Sequence, residues 1–177
     1  MKAEELYQHL IKGDRNFPGV DLSGEDLKGM DLSNIKLTDA NLKQTNFADA
    51  RLKAADLSNA DLSNANLNSA NLTGASLYEA NLTKANLSNA RLDKASLQGA
   101  NLTEANLSQA NLIQTDLSTA NLKGANLTAV DLDKAIYRTT DFSYTDLSQA
   151  NLSEVNLDNM VLKGATLPEN LKQSSAQ

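Results

Sequence analysis

The segment DLSNADLSNANLNSA, residues 56–70, contains three copies of one five-residue pattern: Asn or Asp, then Leu, two variable residues and Ala. The pattern repeats with scarcely a break from Asn41 to Asn126. Leucine or another large apolar residue recurs at every fifth position from Phe17 to Leu167, which makes 31 consecutive pentads. Self-similarity at a fixed period is the signature of repeat architectures, so the repeat is the basis for interpreting the rest of the chain.

A period of five fits neither of the two common secondary structures. A helix face needs apolar residues at i, i+3, i+4 and i+7, and a half-buried strand needs strict alternation. In each pentad the large apolar residue and the alanine two positions before it are separated by one polar residue, like two inward positions of a short extended segment. The other two polar residues can turn a corner. A chain that turns every five residues with the same side inward must coil, so the pattern predicts an all-β solenoid with a leucine and alanine core.

The inward position two residues before each leucine changes character along the chain. It is alanine without interruption from Ala50 to Ala110, but larger side chains occupy it near the ends, at Val20, Met30, Ile35, Val130, Val155 and Met160. We expect interior coils to have room only for a methyl group there, because neighbouring coils crowd it. Threonines at this position should donate their hydroxyls to backbone carbonyls; they are Thr45, Thr115, Thr140 and Thr145. Glu25 also occupies it, and the sequence identifies no partner for its carboxylate.

A short amphipathic helix is predicted before the array, from Ala3 to Lys12, with Gly13 as its stop. A helix of about ten residues is marginal in water, so it needs a surface to pack on. The first coil would otherwise expose leucine side chains and unpaired backbone groups. We therefore expect residues 1–14 to form an N-terminal capping helix whose contact residues are Leu6, Leu10 and Ile11.

Composition and pattern exclude several classes of function. The chain has no cysteine, so it has no disulfide framework, thiolate metal site or cysteine nucleophile. It lacks a secretory signal and any run of 18 apolar residues, so we expect a soluble, cytoplasmic protein without membrane contact. The single histidine, His9, lies in the predicted helix, and Gly19, Gly24 and Gly29 are spaced as corner residues rather than as a phosphate loop. A convex rod also offers no cleft for paired carboxylates. We predict that the protein is not an enzyme and has no catalytic, cofactor-binding or metal-binding residues.

The repeats ADLSN at residues 60–64 and ANLNS at 65–69 resemble the pentapeptide repeat family, A(D/N)LXX, over about 155 of the 177 residues. The segments GDRNF at 13–17 and GATLP at 164–168 are also similar to cyanobacterial members. The resemblance implies a right-handed quadrilateral β-helix with four pentads per coil. It would have about eight coils over residues 15–169, followed by a polar tail at 170–177. The five-residue period alone also allows a three-sided coil.

Residues twenty apart would stack into ladders in the four-sided arrangement. One such ladder contains Asn46, Asn66, Asn86, Asn106 and Asn126. Amide stacks of this kind stabilise repeated β structure. We interpret this ladder as solvation and axial hydrogen bonding rather than as a binding site.

The charge distribution bears on one known function of the family. Some relatives imitate B-form DNA and engage type II topoisomerases such as gyrase, which requires a strong, organised negative surface. Here two opposite faces, those of Leu57 and Leu67, each carry a net charge of −3, and the faces between them are neutral. A duplex would carry roughly twenty charges over the roughly 37 Å of such a rod. DNA mimicry is therefore the alternative function, and without a basic stripe we expect no direct binding of nucleic acid.

Departures from the repeat indicate a contact surface near the far end of the array. Two repeat centres between Asp131 and Leu162 are aromatic, and outward positions there are apolar. Exposed apolar clusters often mark contacts. We predict a protein-interaction or structural scaffold that binds an unidentified protein partner through a far-end patch of Ile136, Tyr137, Tyr144 and Val161. A monomer whose last coil is partly covered by Leu171 is favoured over an end-to-end dimer joined through the C-terminal coil.

Overall fold

Backbone pairing in the computed structural model, which describes residues 1–152 and 160–172, joins residues twenty positions apart. Parallel bridges run from Asn16–Lys36 to Asp146–Thr166, and each uses the residue just before a repeat centre, which is polar except at Ile136 and Val161. The described residues contain these single-residue bridges in place of longer strands, together with two helices, α1 (Ala3–Leu10) and α2 (Glu169–Lys172). Twenty residues are four pentads, so the pairing excludes a three-sided coil, which would join residues fifteen apart.

The backbone of each pentad is held from both sides, as the repeat around Leu62 illustrates. The Asp61 N–H donates to the Ala40 carbonyl of the preceding coil at 2.9 Å, and the Leu62 N–H donates to the Asn81 carbonyl of the next coil at 2.8 Å. The Ala65 N–H then donates to the Leu62 carbonyl at 3.0 Å and closes the corner. Each coil is thus a template for the next.

The Asn or Asp before each leucine starts the corner with its side chain. The Asp61 Oδ1 accepts the Ser63 N–H at 3.0 Å, and the Asn86 Oδ1 accepts the Ser88 N–H at 3.2 Å. Asn and Asp are favoured in turns because they can form this local bond to the backbone two residues on. The polar half of the repeat is therefore a corner-forming device as much as a solvated surface.

Nearly every described corner places one residue in the left-handed region. Gly19, Gly24 and Gly29 have φ of 65°, 69° and 66°, as their corner spacing predicted. Most other corners use a residue with a side chain, including Ala54 and Thr139, both with φ of 54°. This conformation costs roughly 1–2 kcal/mol for a non-glycine residue. The corners therefore contain strain that coil pairing and core burial must offset.

The core is a column of repeat centres flanked by small residues. Every centre from Leu22 to Leu132 is 0% exposed, and each leucine contributes about 1.5–3 kcal/mol by burial. At the N-terminal end, Val20 and Met30 replace alanine and are only partly buried against the core. These larger side chains occur where no complete coil lies above them, as expected from crowding. Val130 does not follow this expectation, because it is 2% exposed and has a neighbouring coil on each side.

The four inward threonines donate their hydroxyls to backbone carbonyls, as predicted. Thr45, Thr115 and Thr140 each bond the carbonyl of a repeat centre 23 residues earlier, at 2.7–2.8 Å. Thr145 bonds the Phe142 carbonyl of its own corner. A buried hydroxyl without a partner is costly, so these bonds make threonine compatible with a site otherwise occupied by alanine.

Glu25 holds the start of α1 against the first coil. Its Oε1 lies 2.7 Å from Lys2 Nζ, and its Oε2 accepts the Ala3 N–H at 2.9 Å. The Lys2 ammonium and the Ala3 N–H both favour the carboxylate, and they hold the pKa of Glu25 below its usual value. The side chain is only 15% exposed. Lys2 and Ala3 are therefore the partners of Glu25 that the sequence did not identify. We call these two contacts the Glu25 clasp.

Two of the three predicted contact residues of α1 are buried, and one is not. Leu6 is 0% and Leu10 is 8% exposed, and both belong to the core cluster. Ile11 is 61% exposed, so its assignment to the buried stripe was wrong. The helix ends at Leu10 rather than Lys12, because the chain turns through Gly13, where φ is 90°. Ile11 is the C-cap residue and lies at the surface.

At the far end, a second short helix begins where the predicted array ends. α2 spans Glu169–Lys172 and so crosses the predicted boundary between array and tail. Leu171 packs against the core together with Met160 and Leu162. Val155, predicted at an inward position, and Asp158, one of the acids counted in the charge of the Leu57 face, lie outside the described residues, as does the tail from 173 to 177.

Candidate contact surfaces

The far-end patch has three exposed apolar members distributed over two sides of the coil. Ile136 is 46%, Tyr144 is 53% and Val161 is 50% exposed. Val161 pairs with Asp141, and the Tyr144 N–H donates to the Lys163 carbonyl, so Val161 and Tyr144 lie on adjacent coils of one side. Ile136 pairs with Asp116 on the preceding side.

Tyr144 is positioned by its neighbours along the axis. Its ring lies against Gly164, where a Cβ atom would come within 2.8 Å of a ring carbon. Lys123 Nζ is 5.8 Å from the ring centroid on the side of the preceding coil. Absence of a side chain at 164 thus allows the ring to lie flat, and the lysine holds it by a cation–π contact.

Tyr137 differs from the other members of the patch because it is a repeat centre. It is half-buried and packs against the core cluster. Its aromatic ring therefore supports the wall of the last coils rather than presenting a full face to solvent. Residues 156 and 157, twenty positions after Ile136 and Tyr137 in the sequence, lie outside the described residues.

The amide ladder is a directed chain of hydrogen bonds. Asn46 Nδ2 donates to Asp26 Oδ1 at 2.8 Å, and Asn66 Nδ2 donates to Asn46 Oδ1 at 3.0 Å. The next two steps, to Asn86 and then Asn106, continue in the same direction at 3.4 Å. The chain ends at a carboxylate, which can only accept. These amide groups satisfy one another along the axis, as a structural role requires.

Several aspartates of the array have a lowered pKa because hydrogen bonds within their own corners stabilise the charge. The Ser23 hydroxyl and then the Ser23 N–H lower the pKa of Asp21, and Ser143 lowers the pKa of Asp141 in the same way. Ser148 does the same to the pKa of Asp146. Each of these carboxylates is stabilised by the serine of its own turn and not by a site formed from several residues.

The N-terminal end carries apolar surface that the sequence analysis missed. Tyr7 is 50% exposed beside the exposed Ile11, and together with Leu10 and Met30 they line a groove of about 210 Å³. Arg15 and Asp31 form its polar border. The spacing of Tyr7 and Ile11, four residues apart in a helix, is the signal that could have found it. We call this the N-terminal groove.

Residues 1–152 and 160–172 contain no cluster of side chains of the metal-binding type. No group of three or more His, Cys, Asp or Glu side chains converges as metal ligands there. His9 Nδ1 lies 2.9 Å from Asp14 Oδ2, and its ring packs edge-on against Phe17 at 5.7 Å. That contact ties the helix end to the first pentad. In this part of the chain, no helix has the length and apolar character needed to cross a membrane.

Comparison with known proteins places these features in a family context. A family model for pentapeptide repeats matches in eight copies, over residues 16–136 and 140–168. The chain is similar to HetL, a pentapeptide repeat protein involved in heterocyst differentiation regulation from the cyanobacterium Nostoc sp. strain PCC 7120. The two are 32% identical over 96% of this chain and 94% of HetL, with a TM-score of 0.36.

Two further structures illustrate the range of similar proteins. A pentapeptide repeat protein from the thylakoid lumen of Arabidopsis thaliana is 33% identical over 63% of this chain and 68% of that one, with a TM-score of 0.39. QnrB1, a plasmid-mediated fluoroquinolone resistance protein, is 23% identical over 90% and 88% of the two chains, with a TM-score of 0.39. No curated protein matches the chain significantly.

Proposed function

Because the chain belongs to the pentapeptide repeat family, we propose that it is a non-enzymatic scaffold that binds a protein partner through its far-end patch. The regular coils act as a rigid frame, and the patch supplies the contact. The partner is a protein that presents a complementary apolar area. We expect the scaffold to act as a cytoplasmic monomer, which sedimentation would test.

The distribution of exposed apolar side chains carries this proposal. Among the described residues of the array, four large apolar side chains are at least 40% exposed, namely Tyr78, Ile136, Tyr144 and Val161. Three of the four lie between residues 136 and 161, although the array begins near residue 15. Apolar side chains that are exposed together commonly mark contact sites. The regular stretch between the ends presents mainly polar side chains that bond to one another.

The proposed frame has the form that the family uses. Proteins of this family fold as right-handed quadrilateral β-helices, and the pairing of residues twenty apart agrees with four sides. We propose that residues 15–169 form about eight coils and that α1 caps the first coil through Leu6 and Leu10. The packing of Leu171 against the core supports partial closure of the other end by the chain itself.

Mimicry of DNA toward a type II topoisomerase such as gyrase is the alternative function. Basic side chains accompany several acids along the rod: Lys43 lies 3.2 Å from Asp61, and Lys84 lies 3.5 Å from Glu104. Even Asp49, on one of the two acidic faces, has Lys28 at 3.8 Å. These pairs interrupt the continuous negative surface that mimicry requires. We expect no inhibition or protection of gyrase in a supercoiling assay at modest salt, and a clear effect there would favour the alternative.

Partner capture with matched variants tests the proposed function. The full chain is immobilised, and proteins bound from the native organism are identified by mass spectrometry. A triple variant, Ile136→Ala, Tyr144→Ala and Val161→Ala, should lose the captured partner at least tenfold while its circular dichroism is unchanged. Tyr78→Ala, an exposed apolar residue elsewhere on the rod, should retain it. Equal capture by the triple variant and the unsubstituted chain would rule out the far-end patch.

A further inference from the structure

The N-terminal groove lies between the C-terminal half of α1 and the first coil. Tyr7, Leu10, Ile11 and Met30 form its apolar lining. Its volume of about 210 Å³ is below the roughly 300–1,000 Å³ of typical small-molecule sites. The groove is therefore suited to a single anchoring side chain rather than to a complete small ligand.

The backbone beside this groove is an open edge. In the interior coils, both backbone groups of the residue before each repeat centre bond to the preceding coil; the Arg51 N–H, for example, donates to the Met30 carbonyl, and the Arg51 carbonyl accepts the Leu32 N–H. Asp31 is the equivalent residue of the first coil, and its backbone N–H and carbonyl bond to no other described residue. An unpaired strand edge is a template for another extended chain.

The start of the chain already occupies another part of the open edge of the first coil. On another side of the first coil, the Met1 amino group donates to the Asp21 carbonyl at 2.8 Å. Lys2 has extended backbone, with φ of −93° and ψ of 156°, and the Glu25 clasp holds it in place. Residues 1 and 2 thus cover the edge near Asp21. The edge at Asp31 is left uncovered beside the apolar groove.

Arg15 adds a charge preference to this site. Its Nη1 donates to the carbonyls of Leu10 and Asp14, at 3.0 and 3.1 Å, which fixes the guanidinium at the border of the groove. Its other N–H groups bond to nothing within the described chain. The Asp31 carboxylate has other partners, since its Oδ1 accepts the Ser33 N–H and hydroxyl and its Oδ2 lies 3.9 Å from Arg51 Nη1. The free donors of Arg15 therefore favour a carboxylate on an incoming chain.

We propose that the N-terminal groove binds an extended peptide segment of another protein. The peptide pairs its backbone with Asp31, inserts one large apolar side chain among Tyr7, Ile11 and Met30, and places an acidic side chain at Arg15. Strand addition to an exposed edge, with backbone bonds for affinity and a pocket for specificity, is a general mode of peptide recognition. This surface is separate from the far-end patch, so either one can fail without the other.

A peptide selection against the full chain tests the proposal. The probe is a displayed library of random linear twelve-residue peptides. Enriched peptides should contain a large apolar residue with Asp or Glu close by, and their binding should slow hydrogen exchange at the Asp31 amide. Ile11→Glu, at a residue that is 61% exposed and outside the core, should weaken binding at least tenfold.

Three comparisons make the selection decisive. Arg15→Gln should weaken binding of the acidic peptides more than binding of the same peptides with Asn or Gln in place of the acid. Tyr78→Glu and Ile136→Glu should bind the peptides normally. Failure to enrich any peptide, equal binding by Ile11→Glu, or protection at amides far from Asp31 would overturn the proposal. Sedimentation that shows self-association, abolished by Ile11→Glu, would overturn it in favour of a second copy as the occupant.

Discussion

Left-handed corner residues are the main conformational cost that individual pentads carry. Lys84, Glu104 and Gln109, with φ of 59°, 57° and 59°, adopt this conformation although they have side chains. Three features of each pentad offset the cost of the left-handed conformation: a hydrogen bond from the corner backbone to the Asn or Asp side chain, backbone bonds to both neighbouring coils, and a fully buried leucine. Where glycine occupies the corner the cost is largely absent. The corners are therefore the positions at which single substitutions can add stability.

Ala54→Gly should stabilise the protein. The residue is exposed with φ of 54° and its N–H bonds the Thr73 carbonyl, which glycine retains. Relief of the left-handed strain, roughly 1–2 kcal/mol, exceeds the added chain entropy of about 0.5–1 kcal/mol. We expect a rise of a few degrees in Tm. The neighbour Ala55, which is 1% exposed, is the matched control, because Ala55→Gly removes a buried methyl group and should lower Tm. The same direction of change in both variants would contradict this account of the corners.

Leu87→Asp should disrupt the coil around it rather than abolish all structure. Leu87 is 0% exposed, so the substitution removes about 1.5–3 kcal/mol of burial and adds a buried carboxylate that costs several kcal/mol more. In repeat proteins stability depends on nearest neighbours. Hydrogen exchange should become fast near residues 67, 87 and 107 first. The control Asn89→Asp adds the same group at an exposed corner with φ of 58° and should leave exchange unchanged. Uniform loss of protection along the rod would contradict nearest-neighbour behaviour.

At the scale of elements, α1 depends on contacts at both of its ends. Glu25 binds the Ala3 N–H at the start, and Arg15 binds the Leu10 carbonyl at the end. Between them Leu6 and Leu10 are buried in the core cluster. A helix of eight residues would not persist alone. Its position is therefore set by two polar contacts and one short apolar stripe.

Acid should loosen α1 through the Glu25 clasp. The pKa of Glu25 is lowered in the folded state, chiefly by its hydrogen bond to Lys2 and then by the Ala3 N–H. Its stabilising contribution is therefore complete above the ordinary carboxyl value of 4.5 and is lost as the pH falls through the lower folded value. We expect the amides of α1 to lose protection selectively below about pH 4.5.

Two variants separate the clasp from general acid effects. Glu25→Gln should show weaker protection of α1 at pH 7 and little further selective loss on acidification. Glu5→Gln changes an exposed glutamate of the same helix and should behave like the unsubstituted chain. An identical acid response of α1 in Glu25→Gln and in the unsubstituted chain would show that another group controls the helix.

The elements illustrate what the sequence can and cannot predict. The leucine and alanine positions could be predicted as inward, because spacing and side-chain volume alone determine them. Ile11 could not be placed, since its exposure depends on where the chain turns toward Gly13. The Glu25 partner also depends on how the helix lies across the coil, and Lys2 is 23 residues away in sequence. For the same reason the groove formed by Met30 with the helix was not foreseen.

At the scale of the whole molecule, the middle and the ends of the rod differ in character. The middle repeats one set of bonds, and its amide ladder and threonine bonds are internal. The ends interrupt the repeat with exposed apolar residues, Tyr7 and Ile11 at one end and Ile136, Tyr144 and Val161 at the other. The five-residue period did not predict the number of sides per coil; the family resemblance predicted four. Bridges between residues twenty positions apart establish four sides for the described residues.

Removal of one complete coil, residues 81–100, tests most directly whether the middle is a frame and the ends make the contacts. Ala80 would then precede Asn101, so the five-residue and twenty-residue periods both continue across the junction. The shortened chain should fold into a rod about 4.8 Å shorter, as measured by small-angle scattering, and should capture the same partner with unchanged affinity. A folded, shortened rod that no longer binds the partner would contradict the account, because it would place the contact on the regular faces.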